Sequence, residues 1–180
     1  EQARVGLADF ARDPERYPLR TPSGKIEIAS PAYARVGGSL IPQARVLPLD
    51  ERYPLRLITP KSRYRTHSQN DNIPWFRARE EQTLWIHPMD AARRQISDGQ
   101  QVLVHNPQGR VRIAARVTED IMPGVVCLLA GAWPALAPDG TDTAGSPNML
   151  TPTEPTEPSQ GSRTHSVLVQ VIPAGEGGSQ

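Results

Sequence analysis

From Thr59 to Asn72 the chain reads Thr-Pro-Lys-Ser-Arg-Tyr-Arg-Thr-His-Ser-Gln-Asn-Asp-Asn, its densest run of groups able to hold a ligand. Lys61, Arg63 and Arg65 offer cationic donors to phosphate oxygens, while Thr59, Ser62, Thr66 and Ser68 offer hydroxyls that donate or accept. Gln69, Asn70 and Asn72 add carboxamides, whose paired donor and acceptor match the edges of a nitrogen heterocycle. These types side by side describe a loop that grips a phosphorylated, nitrogen-rich molecule. The bulky neighbours Tyr64 and Ile73-Pro74-Trp75-Phe76 predict that the loop is tucked against a core.

The same run lacks the marks of bond-making. Ser68, His67 and Asp71 have the residue types of a hydrolytic triad, but adjacent side chains on extended backbone point apart, and no nucleophile elbow is present. A phosphate loop, a dinucleotide fingerprint, paired cysteines and a helical His–Glu pair are all absent from the sequence. His87 and His105 stand without metal-ligand spacing and read as a helix start and a strand-surface residue. Cys127, the one cysteine, sits in the apolar run Val125 to Leu129 and reads as a small core residue. The acidic residues fall in turns and in a Thr-Glu-Pro repeat, Thr153 to Pro158, and read as solvated. Residue chemistry alone therefore supports binding.

A loop of this kind needs a rigid frame. Nineteen prolines and fourteen glycines in 180 residues exclude long helices, and short β-branched segments between turn signals favour a β-rich barrel or sandwich. Strands are predicted at Lys25 to Ser30, Leu55 to Thr59, Thr83 to Ile86, Gln101 to His105, Arg110 to Val117, Val125 to Leu129 and Val167 to Ile172. Pro88 at a first helical turn and the cations Arg93 and Arg94 near its end predict one short helix after His87. Asn106-Pro107-Gln108-Gly109 writes the turn of a hairpin. Residues 1–50 read as an irregular N-terminal arm with one strand and a linker, 51–173 as the barrel, and 174–180 as a frayed tail. Pro134 to Ser166 is a long irregular excursion held between two strands, which marks it as a functional loop. A net charge of +1 gives no bulk attraction to nucleic acid, and no apolar run reaches the length of a membrane span. Opening at Glu1, without Met and in mid-pattern, the chain reads as a piece of something longer with no signal peptide of its own.

Taken in order, several segments resemble one known family. They are Asp13-Pro14-Glu15, Thr21-Pro22-Ser23-Gly24-Lys25-Ile26-Glu27-Ile28, Arg65-Thr66-His67-Ser68 with Asp71-Asn72, Pro88-Met89-Asp90-Ala91, Asp98-Gly99 and Met122-Pro123-Gly124-Val125-Val126. Gly131-Ala132-Trp133, Gly145-Ser146-Pro147-Asn148-Met149-Leu150-Thr151 and His165-Ser166-Val167-Leu168-Val169-Gln170-Val171 complete the series. The sequence is similar to the C-terminal, molybdopterin-dinucleotide-binding domain of molybdenum oxidoreductases of the dimethyl sulfoxide reductase family. Within it, the branch of anaerobic, membrane-associated catalytic A chains has the most similar Arg-Thr-His-Ser and Gly-Ala-Trp segments.

The resemblance implies a mainly β fold, a double-psi β-barrel of six main strands with few short helices. It implies a share in binding bis(molybdopterin guanine dinucleotide) molybdenum, with an iron–sulfur cluster and the metal-ligating residue elsewhere in the parent protein. The implied whole enzyme reduces an S- or N-oxide by oxygen-atom transfer at the metal. The implied partners are the remaining domains of the parent catalytic subunit, an iron–sulfur electron-transfer subunit and a membrane anchor, in a membrane-associated complex whose side of the membrane the sequence leaves open. By position in the family's pattern, the cofactor contacts fall on Thr59, Lys61, Ser62, Arg65, Thr66, His67, Ser68, Gln69, Asn148, His165 and Ser166. Thr59 to Asn72 and the segment around Asn148 are expected at one pocket. Some relatives carry Gly and Arg where this chain has Pro60 and Lys61; lysine neutralises phosphate as a point charge but lacks the bidentate fork. The alternative is a partner- or substrate-binding double-psi barrel without a redox cofactor, which would need exposed apolar or charged stripes. A small decarboxylase of similar barrel shape would need a self-processing serine, for which Gly161-Ser162 is the one local candidate.

Overall fold

The computed structural model describes residues 6–41, 43–44, 50–157 and 159–175. Parts of the expected linker, Pro158 of the Thr-Glu-Pro repeat and residues 176–180 of the expected tail lie outside the described residues. Contacts divide the chain into Glu1–Val46 and Leu47–Gln180.

The first unit holds two helices of one turn or so, α1 (Ala8–Arg12) and α2 (Pro31–Arg35). Two expectations fail here. Lys25 to Ser30 is not a strand, and Ile26 and Ile28 are 64% and 71% exposed. Alternation makes a strand only when another backbone offers its N–H and C=O groups, and no described residue of this unit lies in a strand. The expected linker after Ser30 instead begins with α2, whose start follows from local chemistry: Pro31 takes the first turn and the Ser30 hydroxyl accepts from the Tyr33 N–H at 3.2 Å.

The second unit is a closed barrel of six strands, β1 (Leu55–Ile58), β2 (Leu84–Ile86), β3 (Gln101–Asn106), β4 (Gly109–Val117), β5 (Val125–Cys127) and β6 (Val167–Pro173). Around the barrel the order is β1, β5, β2, β4, β3, β6, with β1–β5 and β2–β4 parallel and the other four pairs antiparallel. This is the double-psi architecture. Inward side chains alternate along each strand: Leu55 and Leu57, Leu84 and Ile86, Val102 and Val104, Val111 and Ile113, Val126, then Val167, Val169 and Val171 are all buried. A smaller cluster, Ile121, Cys127 and Leu129, packs with Ile58, Trp85 and Val125. Burial pushes the Cys127 thiol up to about 11, as suits an unreactive core residue.

Two further helices belong to this unit, α3 (Pro74–Arg77) and α4 (Pro88–Arg93). His87 caps α4, its Nδ1 accepting from the Met89 N–H at 3.2 Å, and His105 lies on β3 with its ring edge-on to Tyr53. The run Ile73 to Phe76 does not tuck inward as expected: Ile73 and Trp75 are exposed, with Trp75 covered by the Arg79 guanidinium instead. Pro74 stands at the first turn of α3, so the stretch folds on itself as a helix.

Candidate functional site

The pairing directions decide where the loops meet. β1, β3 and β5 run one way and β2, β4 and β6 the other, so the connections 59–83, 107–108 and 128–166 all leave from the same end of the barrel. Connections 87–100 and 118–124 close the opposite end. Every residue predicted to bind lies at the first end.

Where β1 ends beside the start of β6, the Thr59 N–H donates to His165 Nδ1 at 3.2 Å and the Thr59 hydroxyl donates to the Thr164 carbonyl at 3.1 Å. With Nδ1 accepting, a neutral His165 carries its proton on Nε2 and presents a donor. The chain then continues beside β5, where Lys61 bridges Ala130 and the Ala130 N–H donates to the Pro60 carbonyl. The buried Ser62 hydroxyl accepts from the Tyr64 and Arg65 N–H groups, each at 3.0 Å, and donates to Glu80.

Beyond it, Thr66 to Gln69 form a tight turn closed by the Gln69 N–H on the Thr66 carbonyl, with His67 at φ 55°. Two residues of the β5–β6 connection hold that turn. Gly131, at φ 97°, lies so close that a methyl group in place of its hydrogen would overlap the His67 carbonyl oxygen. Trp133 donates its indole N–H to the Ser68 carbonyl at 2.6 Å and its backbone N–H to Asp71 at 2.9 Å.

Beneath the turn runs a chain of buried polar groups. Asp71 accepts from Arg65 Nη1 at 3.0 Å and Arg77 Nη2 at 3.3 Å as well as from Trp133. Burial disfavours the charged form of Asp71, yet the Trp133 N–H and the two guanidinium bonds outweigh it and hold the carboxyl below its ordinary value. The Arg65 side chain, 7% exposed, extends the chain: its Nη2 donates to Gln82 Oε1 at 2.6 Å, and Glu80 stands 3.7 Å away. Gln82 Nε2 donates in turn to the Leu129 and Gly145 carbonyls, both at 2.8 Å. The amide can have only this orientation, because carbonyls accept and a guanidinium donates.

The far part of the β5–β6 connection has its own organiser. Asp142, with no exposed surface, accepts from the Ala135 and Ala144 N–H groups on Oδ1 and from the Ser146 N–H on Oδ2, at 2.7, 3.0 and 2.6 Å. Its backbone pairs with β4, donating to the Arg110 carbonyl and accepting from the Arg112 N–H. A 3₁₀ turn, Pro147–Met149, follows and exposes Asn148. Asn106 then ties this segment to the hairpin, its Nδ2 donating to the Leu150 and Leu168 carbonyls.

The predicted residues thus fall into two groups. Thr59, Ser62 and Arg65 spend their side-chain hydrogen bonds inside the protein and shape the loop from below. Lys61, Thr66, His67, Ser68, Gln69, Asn148, His165 and Ser166 are exposed at the barrel end. Gly145, three positions before Asn148, is tied to the Thr59-to-Asn72 loop through Gln82 and Arg65. One expectation is overturned: Asp71, Asp90 and Asp142 are buried, not solvated. The segments that carry them pack on the barrel, where each carboxylate accepts from backbone N–H groups; Asp90, on α4, accepts from Gly124 at 2.6 Å. Gln82 was missed altogether, since it lies in the plain polar run Glu80-Glu81-Gln82-Thr83 and its partners are distant carbonyls. Among the described residues no group of three or more His, Cys, Asp or Glu is placed to hold a metal ion.

Comparison with known proteins locates this geometry. Residues 55–168 match the family model described as the molydopterin dinucleotide binding domain. The chain is 37% identical over 184 aligned positions to dimethyl sulfoxide reductase DmsA of Haemophilus influenzae, covering 93% of this chain and 23% of that protein. It is 38% identical to dimethyl sulfoxide reductase DmsA of Escherichia coli (93% and 22%) and 35% identical to the trimethylamine-N-oxide reductase of Haemophilus influenzae (93% and 22%). Among solved structures, acetylene hydratase from Pelobacter acetylenicus superposes with a TM-score of 0.73 at 19% identity, over 89% of this chain and 25% of that one. That likeness concerns the fold. The chain spans under a quarter of the length of the curated relatives it matches.

Proposed function

Since the chain belongs to the molydopterin dinucleotide binding domain family, we propose that its loop end holds part of a bis(molybdopterin guanine dinucleotide) molybdenum cofactor in an enzyme that reduces an S- or N-oxide. One observation carries the reading: the exposed donors and acceptors from two connections distant in sequence sit at one barrel end, on a buried polar frame. The donor set fits the cofactor. Lys61 suits a phosphate, the hydroxyls of Thr66, Ser68 and Ser166 suit phosphate or ribose oxygens, and Gln69, Asn148, His67 and His165 suit a pterin or guanine edge. When bound, the molybdenum group supplies the oxygen-atom transfer itself. The residues of this chain bind and orient it, and none is assigned a proton or a metal bond.

The remaining domains of the parent would supply the metal ligand and an iron–sulfur cluster, with an iron–sulfur subunit and a membrane anchor delivering electrons. The relatives favour this reading over a partner-binding barrel without a cofactor. The test is made on the full-length protein, by metal analysis and by release of guanine nucleotide on acid treatment. Molybdenum and guanine nucleotide should both be present. His67→Ala and Asn148→Ala should each weaken retention by about 1–3 kcal/mol, the cost of leaving a polar partner unpaired, with the barrel still folded. Full occupancy in both variants would overturn the residue assignments, and a wild-type protein free of both components would overturn the function.

A further inference from the structure

The buried polar chain does more than support one loop. Trp133 N–H, Asp71, Arg65 and Gln82 are joined bond to bond, and Gln82 passes the connection on to Leu129 and Gly145. Leu129 lies two positions past the end of β5; Gly145 stands three positions before Asn148, with Ser146 and Pro147 buried between them. Gly145 also has no room for a side chain, since a methyl group there would overlap Ile113 and press on Gln82 Cγ at 2.7 Å. So one amide side chain is wedged between the two walls that carry the exposed donors, with both of its N–H donors and its carbonyl oxygen bonded.

We propose that Gln82 is a positioning residue that couples the Thr66-to-Gln69 turn to the Asn148 turn, so that the two walls hold a ligand together or lose it together. The inference rests on the cofactor reading given above, but the coupling itself is a property of the chain without ligand. Its chemistry is specific to an amide. Methionine would fill the same space and make none of the bonds. Glutamate would keep an acceptor for Arg65, even strengthening that contact, yet would set a carboxylate against the Leu129 and Gly145 carbonyls, where two donors are required.

The test uses Gln82→Met and Gln82→Glu in the full-length protein, with two readouts. In protein prepared without cofactor, amide exchange should quicken by about tenfold or more at both residues 65–71 and residues 144–149 in each variant, while Leu57, Val126 and Val169 stay as slow as in the wild type. In loaded protein, both variants should release molybdenum and guanine nucleotide about tenfold faster. Quickening in one wall alone, or wild-type retention in Gln82→Glu, would overturn the coupling. If Gln82→Met fails to fold, Gln82→Glu and Gly145→Ala, which presses on the same side chain, give the same two readouts. A wild-type protein that carries no molybdenum would defeat the functional reading and leave the exchange result to decide the coupling.

Discussion

Single buried groups decide how the loop end of the barrel is built. Asp142 is the clearest, because three backbone N–H groups converge on one carboxylate with no exposed surface. Asp142→Ala should destabilise the domain by on the order of 3–5 kcal/mol, as three donors lose a charged acceptor at once. Asp142→Asn should fall between, because its one carbonyl can serve Ala135 and Ala144 while its NH₂ faces the Ser146 donor; urea denaturation of the three proteins measures the order. Gly131 is decided by space and by backbone angle together. Gly131→Ala forces a side-chain-bearing residue into φ 97° and against the His67 carbonyl, so it should cost about 1–3 kcal/mol or displace the turn. Thermal unfolding and the chemical shifts of His67 and Ser68 distinguish those two outcomes. Neither cost was legible beforehand. The irregular run Pro134 to Ser166 marks a loop, but a carboxylate buried by its own connection looks, in sequence, like a solvated one.

Elements were more legible than their contacts. Alternation is a local property, so β1, β3, β4 and β6 could be read from runs such as Arg110 to Val117, and Pro88 announced α4. Lys25 to Ser30 shows the limit, since the same period two yields no strand where no partner backbone is present. Residue types also singled out the loop proposed to bind. They did not reveal Gln82, whose partners Leu129 and Gly145 lie 47 and 63 positions away and act through carbonyls that every residue has. The loop has its own acid sensitivity. Asp71 is held below its ordinary value, so its ionised form contributes stability above the unfolded carboxylate's titration, and that contribution is lost as pH falls through the folded value. Only at pH below the ordinary carboxylate range should the Arg65, Arg77 and Trp133 contacts loosen, which the fluorescence of Trp133, with Trp75 and Trp85 replaced by Phe, would follow. In Asp71→Asn that transition should be absent.

For the whole molecule, the division between frame and chemistry sets what this chain can do by itself. It should fold as a barrel and reduce no oxide, because under the cofactor reading proposed above the metal ligand lies outside it; the relatives it matches are more than four times its length. Turnover of dimethyl sulfoxide or trimethylamine N-oxide by the purified chain with added molybdate would contradict this. The strand order has a further outcome, in time rather than space. Leu57 is flanked by Val126 and Val167, so the first barrel strand to be synthesised acquires its second neighbour only when the last one emerges from the ribosome. Thr59 and His165 come together at that same moment. A nascent chain still lacking β6 has an open sheet edge on β1 and neither His165 nor Ser166 in place beside Thr59. Ribosome-stalled chains ending at Ser166 should therefore be cut readily by protease, and chains stalled with Pro173 well clear of the exit tunnel should resist it.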